Sequence, residues 1–376
     1  MTRRLSTWAA VTLGLFAWFL CLSCSSRSSS DVLRVGVVLP LTGDVATYGN
    51  NAKDGIELAE QELNAKAQQD GGIKIRTFFE DSKGEPQRAV SAIQKLLAAN
   101  GVSCVIGDVT SSATLAMAPI ANKNKVVLMS PAASAPAISQ AGDFIFRVWP
   151  SDDFEASVVA DYMQKKPYRK IAVLLVNNDY GQAMLRSITS RVKAFGGTIT
   201  AAETFQQNTT DLRTQIVKLA ASKPEVVFLV SYPKDSILFL RQYEELGIHI
   251  PIVSTSSFDD PQILKDQGRT AEGAVFSSPL PPDGTDPIVA GFRESYTRKF
   301  GKKPGLVADY GYDALRVLAE AAKLSRGTDG DALRSGLREI RDFHGASGLI
   351  TFDANGDVLK PAGLRTVRDG RYVSLK

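Results

Sequence analysis

The sequence predicts an α/β protein built from two doubly wound parallel-sheet lobes. The first sign is the run LRVGVVL at 33–39, which is apolar without alternation, as in a parallel strand buried on both faces. The second is the stretch immediately after that run. A Gly/Pro turn, PLTGDVATYG, leads into a segment with apolar residues at Ala52, Ile56, Ala59 and Leu63, the spacing that lines one face of a helix. The third is that strand–loop–helix units of this kind recur along the chain in two series. In open α/β sheets the loops at the carboxyl ends of the strands hold the ligand.

Taken in order, apolar runs at 33–39, 73–79, 102–106 and 126–129 predict the strands of a first sheet. One of the intervening helices carries Ala89, Ile93, Leu96 and Leu97. Runs at 171–176, 198–202, 226–230 and 250–253 predict a second sheet, with a helix through Leu212, Ile216, Leu219 and Ala220. Repeated βαβ units with short loops imply parallel pairing and helical cover. The segment FRVWPSD, 146–152, joins the two series, and the polar stretch SPLPPDGTDP, 278–287, marks a second break. Helices are then expected over about 287–300, 311–324 and 331–340, and strands over about 348–352 and 364–367. The chain therefore returns to its first lobe and ends in its second. The expected lobes are 32–149 plus 279–352, and 150–278 plus 353–376.

Residues 1–23 read as an export signal. Arg3 and Arg4 precede a mostly apolar stretch over 5–22, which ends at Ser23-Cys24. A membrane-spanning anchor is the competing reading, but the run is short of the roughly 20 apolar residues a span needs. Residues 24–31 are a Ser-rich tether. Cys21 and Cys24 also form a C-x-x-C, whose place at the end of a removable signal argues against a redox pair. Cys104, in VSCVIG, reads as a buried core thiol without a disulfide partner.

Composition sets further bounds. The chain has 376 residues, 44% hydrophobic and 22% charged, ordinary for a globular protein and long enough for two domains. Its net charge of +4 falls to +2 once residues 1–23 leave, because they hold Arg3 and Arg4 and no acid. Basic residues are scattered rather than striped, which argues against a nucleic-acid partner. The two histidines, His249 and His344, lie far apart, and no nucleophile elbow, zinc-protease motif, phosphate loop or dinucleotide fingerprint is present. No Cys/His set has metal-ligand spacing. The expectation is a binding protein with no enzymatic activity, cofactor or metal.

Motifs then accumulate in a fixed order: VGVVLPLTG at 35–43, ATYG at 46–49, IGDVTSS at 106–112, SPAASAP at 130–136, FRVWPSD at 146–152 and NNDYG at 177–181. Together they resemble the leucine/isoleucine/valine-binding branch of the type I periplasmic binding proteins. The resemblance covers nearly all of the chain after Cys24. It implies two α/β lobes joined by three hinge crossings, here near 149–152, 277–282 and 351–354, with a ligand cleft between them. It also implies a small-molecule ligand, an amino acid or related carboxylate, delivered by a monomer to an ABC permease. The Ser23-Cys24 junction resembles a lipobox, with Cys21 where that motif usually has Leu. Cys24 is then the lipidation site, and the protein is periplasmic or at the cell surface on a lipid anchor.

Residue by residue, Ser111 is similar in position to the family serine that binds the ligand carboxylate. With Ser112 it opens a helix, whose start offers free N–H groups and a positive dipole end, although a plain helix cap explains it too. SPAASAP offers backbone N–H groups near Ala132, and Ser134 stands where the family usually has Thr. Tyr48, Tyr180 and Tyr232 match or extend a set of cleft-wall tyrosines, while Trp149 reads as hinge packing, with a place in the cleft wall as the alternative. Ser256 occupies the position where amino-acid binders usually carry an acid for the ligand ammonium. Asp259, or Asp260, is the expected substitute. If neither reaches the cleft, an aromatic acid or an amide becomes the alternative ligand, and a sensory module of the same fold is the alternative role.

Overall fold

The computed structural model describes residues 32–279 and 285–375. The expected signal, the tether and Cys24 lie outside these residues. The first lobe holds β1 (Val32–Leu39), α1 (Ala46–Asp70), β2 (Lys74–Asp81), α2 (Pro86–Lys95), β3 (Cys104–Gly107), α3 (Ser111–Asn124), β4 (Val127–Ser130) and β5 (Ile145–Arg147). Its strands run parallel in the order β2-β1-β3-β4-β5. Leu33, Val35, Val37 and Leu39 enter one core and Val38 another, so helices cover both faces. That two-sided burial is why β1 reads as continuously apolar. Cys104 is fully buried and unpaired, and burial pushes its thiol pKa upward.

The second lobe begins with α4 (Asp152–Lys165) and continues through β6 (Lys170–Val176), α5 (Asp179–Ala194), β7 (Thr198–Phe205), α6 (Arg213–Ala221), β8 (Val226–Val230), α7 (Pro233–Glu245), β9 (Ile252–Ser254), α8 (Pro261–Gln267) and β10 (Val275–Pro279). The chain then returns to the first lobe as α9 (Pro287–Phe300), α10 (Ala308–Ser325) and α11 (Gly330–Glu339), followed by the hairpin β11 (Phe343–Gly345) and β12 (Gly348–Ile350). It ends with β13 (Ala362–Arg368) and β14 (Arg371–Leu375) on the second sheet, in the order β14-β13-β10-β9-β8-β6-β7. Among the described strands of that sheet only β13 is reversed, pairing antiparallel with β10 and with β14.

The returning helices lock onto the first lobe because α10 packs closely on α1. A Cβ on Gly55 would lie 1.9 Å from the Ala308 carbonyl oxygen, and one on Gly311 would lie 2.4 Å from that of Ala52. Only glycine permits this approach of two backbones.

The structure corrects three expectations. The crossing segment 146–152 starts inside an edge strand, β5. The break expected from 278 starts inside β10, which runs to Pro279. The return to the second lobe, expected at 353, comes later. Phe352 bridges to Val358, Asp357 pairs with Arg147, and Lys360 donates to Ser347, all first-lobe attachments. Among the described residues no helix is long and apolar enough to cross a membrane.

Candidate functional site

The carboxyl ends of both sheets face one another across a narrow cavity of about 40 Å³. From the first lobe come Tyr48 at the start of α1, Ser111 at the start of α3, and Ala132 and Ser134 after β4. From the second come Tyr180 at the start of α5, Tyr232 before α7, and Ser256 after β9. Lining residues that the sequence did not single out are Val109, Ser257, Leu306 and Val307. Trp149, expected as hinge packing, does both: it lines the cavity and packs on Tyr310 with ring centroids 4.5 Å apart.

Ser111 is set up as a donor. Its hydroxyl oxygen accepts from the amides of Ser134 at 3.3 Å and Ala135 at 3.1 Å, which leaves its own proton to point elsewhere. No side chain caps α3, because the Thr110 hydroxyl donates to Asp108 instead. Asp108 is fully buried and also accepts from Ser82 and from the Thr110 amide, while its carbonyl accepts from Ser130. Burial pushes its pKa up to about 6 against those hydrogen bonds. This network holds the α3 start open toward the cavity.

The hydroxyls of all three tyrosines meet protein partners, although Tyr232 only accepts and keeps its own proton. Tyr48 donates to the Ser257 carbonyl at 3.3 Å, Tyr180 pairs with Thr255 at 2.7 Å, and Tyr232 accepts from Asn178 at 3.2 Å. Burial raises all three phenol pKa values, so they stay neutral. The ring faces are left for a ligand. Tyr232 touches Tyr48 edge-on at 6.5 Å between centroids and Tyr180 at 5.7 Å. Val307 adds an apolar wall in a conformation uncommon for a β-branched residue, with φ 68°.

Three expected residues lie elsewhere. Asp259 does not reach the cleft: Arg365 on β13 grips both its oxygens at 2.6 and 2.5 Å, and Ser278 donates to it at 2.9 Å. Asp260 caps α8 through the Gln262 amide. Ser112, one position past Ser111, points along the seam between lobes, where its hydroxyl accepts from the Asp179 amide at 3.1 Å.

Two buried acids on α4 stand behind the lining residues Ser134 and Ser256, and neither is itself among the residues that line the cavity. Glu155 is buried and accepts from the amide and hydroxyl of Ser256, at 3.1 and 2.6 Å, and from Ser277 at 2.8 Å. Asp152 is fully buried, and neither carboxylate oxygen makes a hydrogen bond of ordinary geometry among the described residues, although the Ser134 side chain lies near enough to act on it. Burial and the nearby Glu155 raise its pKa well above the ordinary value, while Ser134 and Arg147 pull it back. The signal was present in sequence as Asp152, Asp153 and Glu155 in one helical turn. Acids are ordinary at a helix start, which hides their second role. Among the described residues no group of three or more His, Cys, Asp or Glu is placed to hold a metal.

The model of the family described as "Periplasmic binding protein" matches residues 32–371. This chain is a type I periplasmic binding protein of the leucine/isoleucine/valine-binding family. The periplasmic binding protein is 26% identical over 357 residues to the Leu/Ile/Val-binding protein homolog 3 of Brucella melitensis, covering 94% of this chain and 95% of that one. It is similar to LivJ, a branched-chain amino acid transporter substrate-binding protein of Streptococcus pneumoniae solved with isoleucine. That match has a TM-score of 0.82 at 26% identity, over 91% of this chain and 97% of the other. A solute-binding protein of an ABC transporter of Rhodopseudomonas palustris, solved with 3,4-dihydroxybenzoic acid, shares the fold with a TM-score of 0.82 at 24% identity, over 92% of this chain and 96% of the other.

Proposed function

We propose that this binding protein captures a small α-amino acid in the interlobe cleft and presents it to the permease of an ABC importer. The observation that carries the reading is the unpartnered Asp152 carboxylate beside Ser134. An α-amino acid bears its carboxylate and ammonium on one carbon, so it needs donors and an acid side by side. Ser111, Ser134 and the open α3 start supply donors for the carboxylate. Asp152, with Glu155 behind Ser256, supplies the acid. A bound ammonium gives Asp152 the partner it lacks, which offsets the cost of its burial. Tyr48, Tyr180 and Tyr232 close over the ligand body, and Val109, Leu306 and Val307 suit an apolar side chain.

Calorimetry with a matched pair tests this. Leucine should bind more tightly than 4-methylpentanoate, which lacks the amine. Tighter binding of the deaminated acid would turn the assignment toward carboxylates such as aromatic acids. Cys24 is proposed to carry the lipid anchor of the exported protein, with 24–31 as its tether. Cys24→Ser should then move the protein to the soluble fraction, and retention of an unprocessed chain in the membrane would argue for a spanning anchor.

A further inference from the structure

The loop 131–136 carries Ala132 and Ser134 into the cleft, yet it lies outside the helices and strands apart from Pro136 at its end. Two of its residues are prolines, and its amides bond mainly to the hydroxyls of Ser130 and Ser111. Its Ser134 and Ala135 carbonyls accept from the backbone amides of Asp152 at 2.9 Å and Ile138 at 3.0 Å, and both accept in addition from one side chain. The Arg147 guanidinium donates through Nη1 to the carbonyls of Ser134 at 2.9 Å and Ala135 at 3.1 Å. Through Nη2 it donates to Ser139 at 2.8 Å, and through Nε to Asp357 at 2.7 Å. Ser139 closes the circuit by donating to the other Asp357 oxygen at 2.6 Å. Arg147 is fully buried, and its polar contacts radiate in three directions.

The far end of this circuit belongs to the first-lobe segment that leads into the third crossing. Asp353 accepts from the amides of Asn355 and Asp357, forming a tight turn, and the Gly356 carbonyl accepts from the Arg147 amide at 3.0 Å. Gly356 has φ 80°, and a Cβ there would lie 2.4 Å from the Ile145 carbonyl oxygen. The turn therefore seats directly on β5. Three residues on, Lys360 is anchored to Ser347 in the first lobe. The segment 353–360 thus moves with the first lobe.

The geometry points to Arg147 as a positioning residue for ligand capture, acting with Asp357 to fix the 132–135 loop and join it to the first-lobe segment that leads into the third crossing. A planar guanidinium with five N–H donors holds two carbonyls, a hydroxyl and a carboxylate at once, which a lysine cannot do. The inference rests on the amino-acid reading for its ligand, but the ordering of the loop by Arg147 is separate from that reading.

The test uses the full chain, with Asp357→Asn as an isosteric change and Ser139→Ala as a milder second variant. Ile93→Val, in the first-lobe core away from the cleft, is the stability control. Hydrogen exchange of the 132–135 amides without ligand should quicken by about ten-fold in Asp357→Asn and by less in Ser139→Ala. Leucine affinity by calorimetry should fall by about ten-fold in Asp357→Asn, as expected when a binding loop loses its fixed geometry. Ile93→Val should change neither. Wild-type exchange rates in both loop variants would overturn the coupling, and faster exchange with unchanged affinity would overturn the positioning role. If the wild-type protein binds no leucine, the amino-acid reading falls and the exchange comparison alone decides the loop coupling. If Asp357→Asn does not fold, Ser139→Ala decides both measurements.

Discussion

At the residue scale, Asp152 is the group whose behaviour most sharply separates binding from stability. Its folded-state pKa lies above the ordinary aspartate value of about 3.9. As pH rises, the unfolded chain therefore releases this proton before the folded protein does. The favourable contribution is full below about pH 4 and is lost as pH rises through the folded value. Asp152→Asn should flatten that dependence and raise the thermal midpoint of the ligand-free protein at pH 7 relative to pH 4. The same change should weaken leucine by about 2–5 kcal/mol, as removal of one partner of a buried charge pair does. A lower ligand-free midpoint at pH 7 would show that Asp152 already has a stabilising partner. The donors, the tyrosines and Ser256 were legible in the sequence because strand ends and helix starts put them where a ligand would lie. The acid was misplaced because proximity in sequence to Ser256 favoured Asp259. That side chain is captured by Arg365, more than 100 residues away along the chain. No local pattern reports so distant a pairing.

At the element scale, legibility followed burial. Strands with two buried faces stood out as apolar runs, and α9 has the expected bounds of 287–300. β5 was hidden by its length of three residues. β10 was hidden by its chemistry: Ser277 and Ser278 look like loop residues but donate to the buried Glu155 and the half-buried Asp259. Polar residues belong inside a strand when buried acceptors await them. The start of α10 came three residues earlier than expected. Its cap, Val307, has left-handed backbone and no capping side chain, so the usual Ser, Thr, Asp or Asn signal is missing. The same conformation that blurred this boundary turns Val307 into the cavity wall.

At the scale of the whole molecule, the two lobes meet around the cavity through few polar contacts. Tyr48 reaches Ser257, and Ser112 accepts from the Asp179 amide. At the rim, Asp44 pairs with Lys234, and the Asn208 side chain donates to the same carboxylate once its amide oxygen and nitrogen are exchanged. Exposed ion pairs are each worth about 0–1 kcal/mol, so this rim alone cannot hold the lobes together strongly. Closure must draw on a ligand that binds both lobes better than either alone. Small-angle scattering should therefore show compaction when leucine saturates the protein, with bending expected where the chain passes between lobes at 148–151 and beyond Lys360. The rim contributes after closure has occurred, so Asp44→Asn combined with Lys234→Met should leave the association rate nearly unchanged and raise the dissociation rate by about three- to ten-fold. Stopped-flow fluorescence can follow both rates through Trp149, which lines the cavity. An unchanged radius at saturation would remove the clamp from the mechanism. A slower association with an unchanged dissociation rate would instead make the rim a steering surface for the incoming ligand.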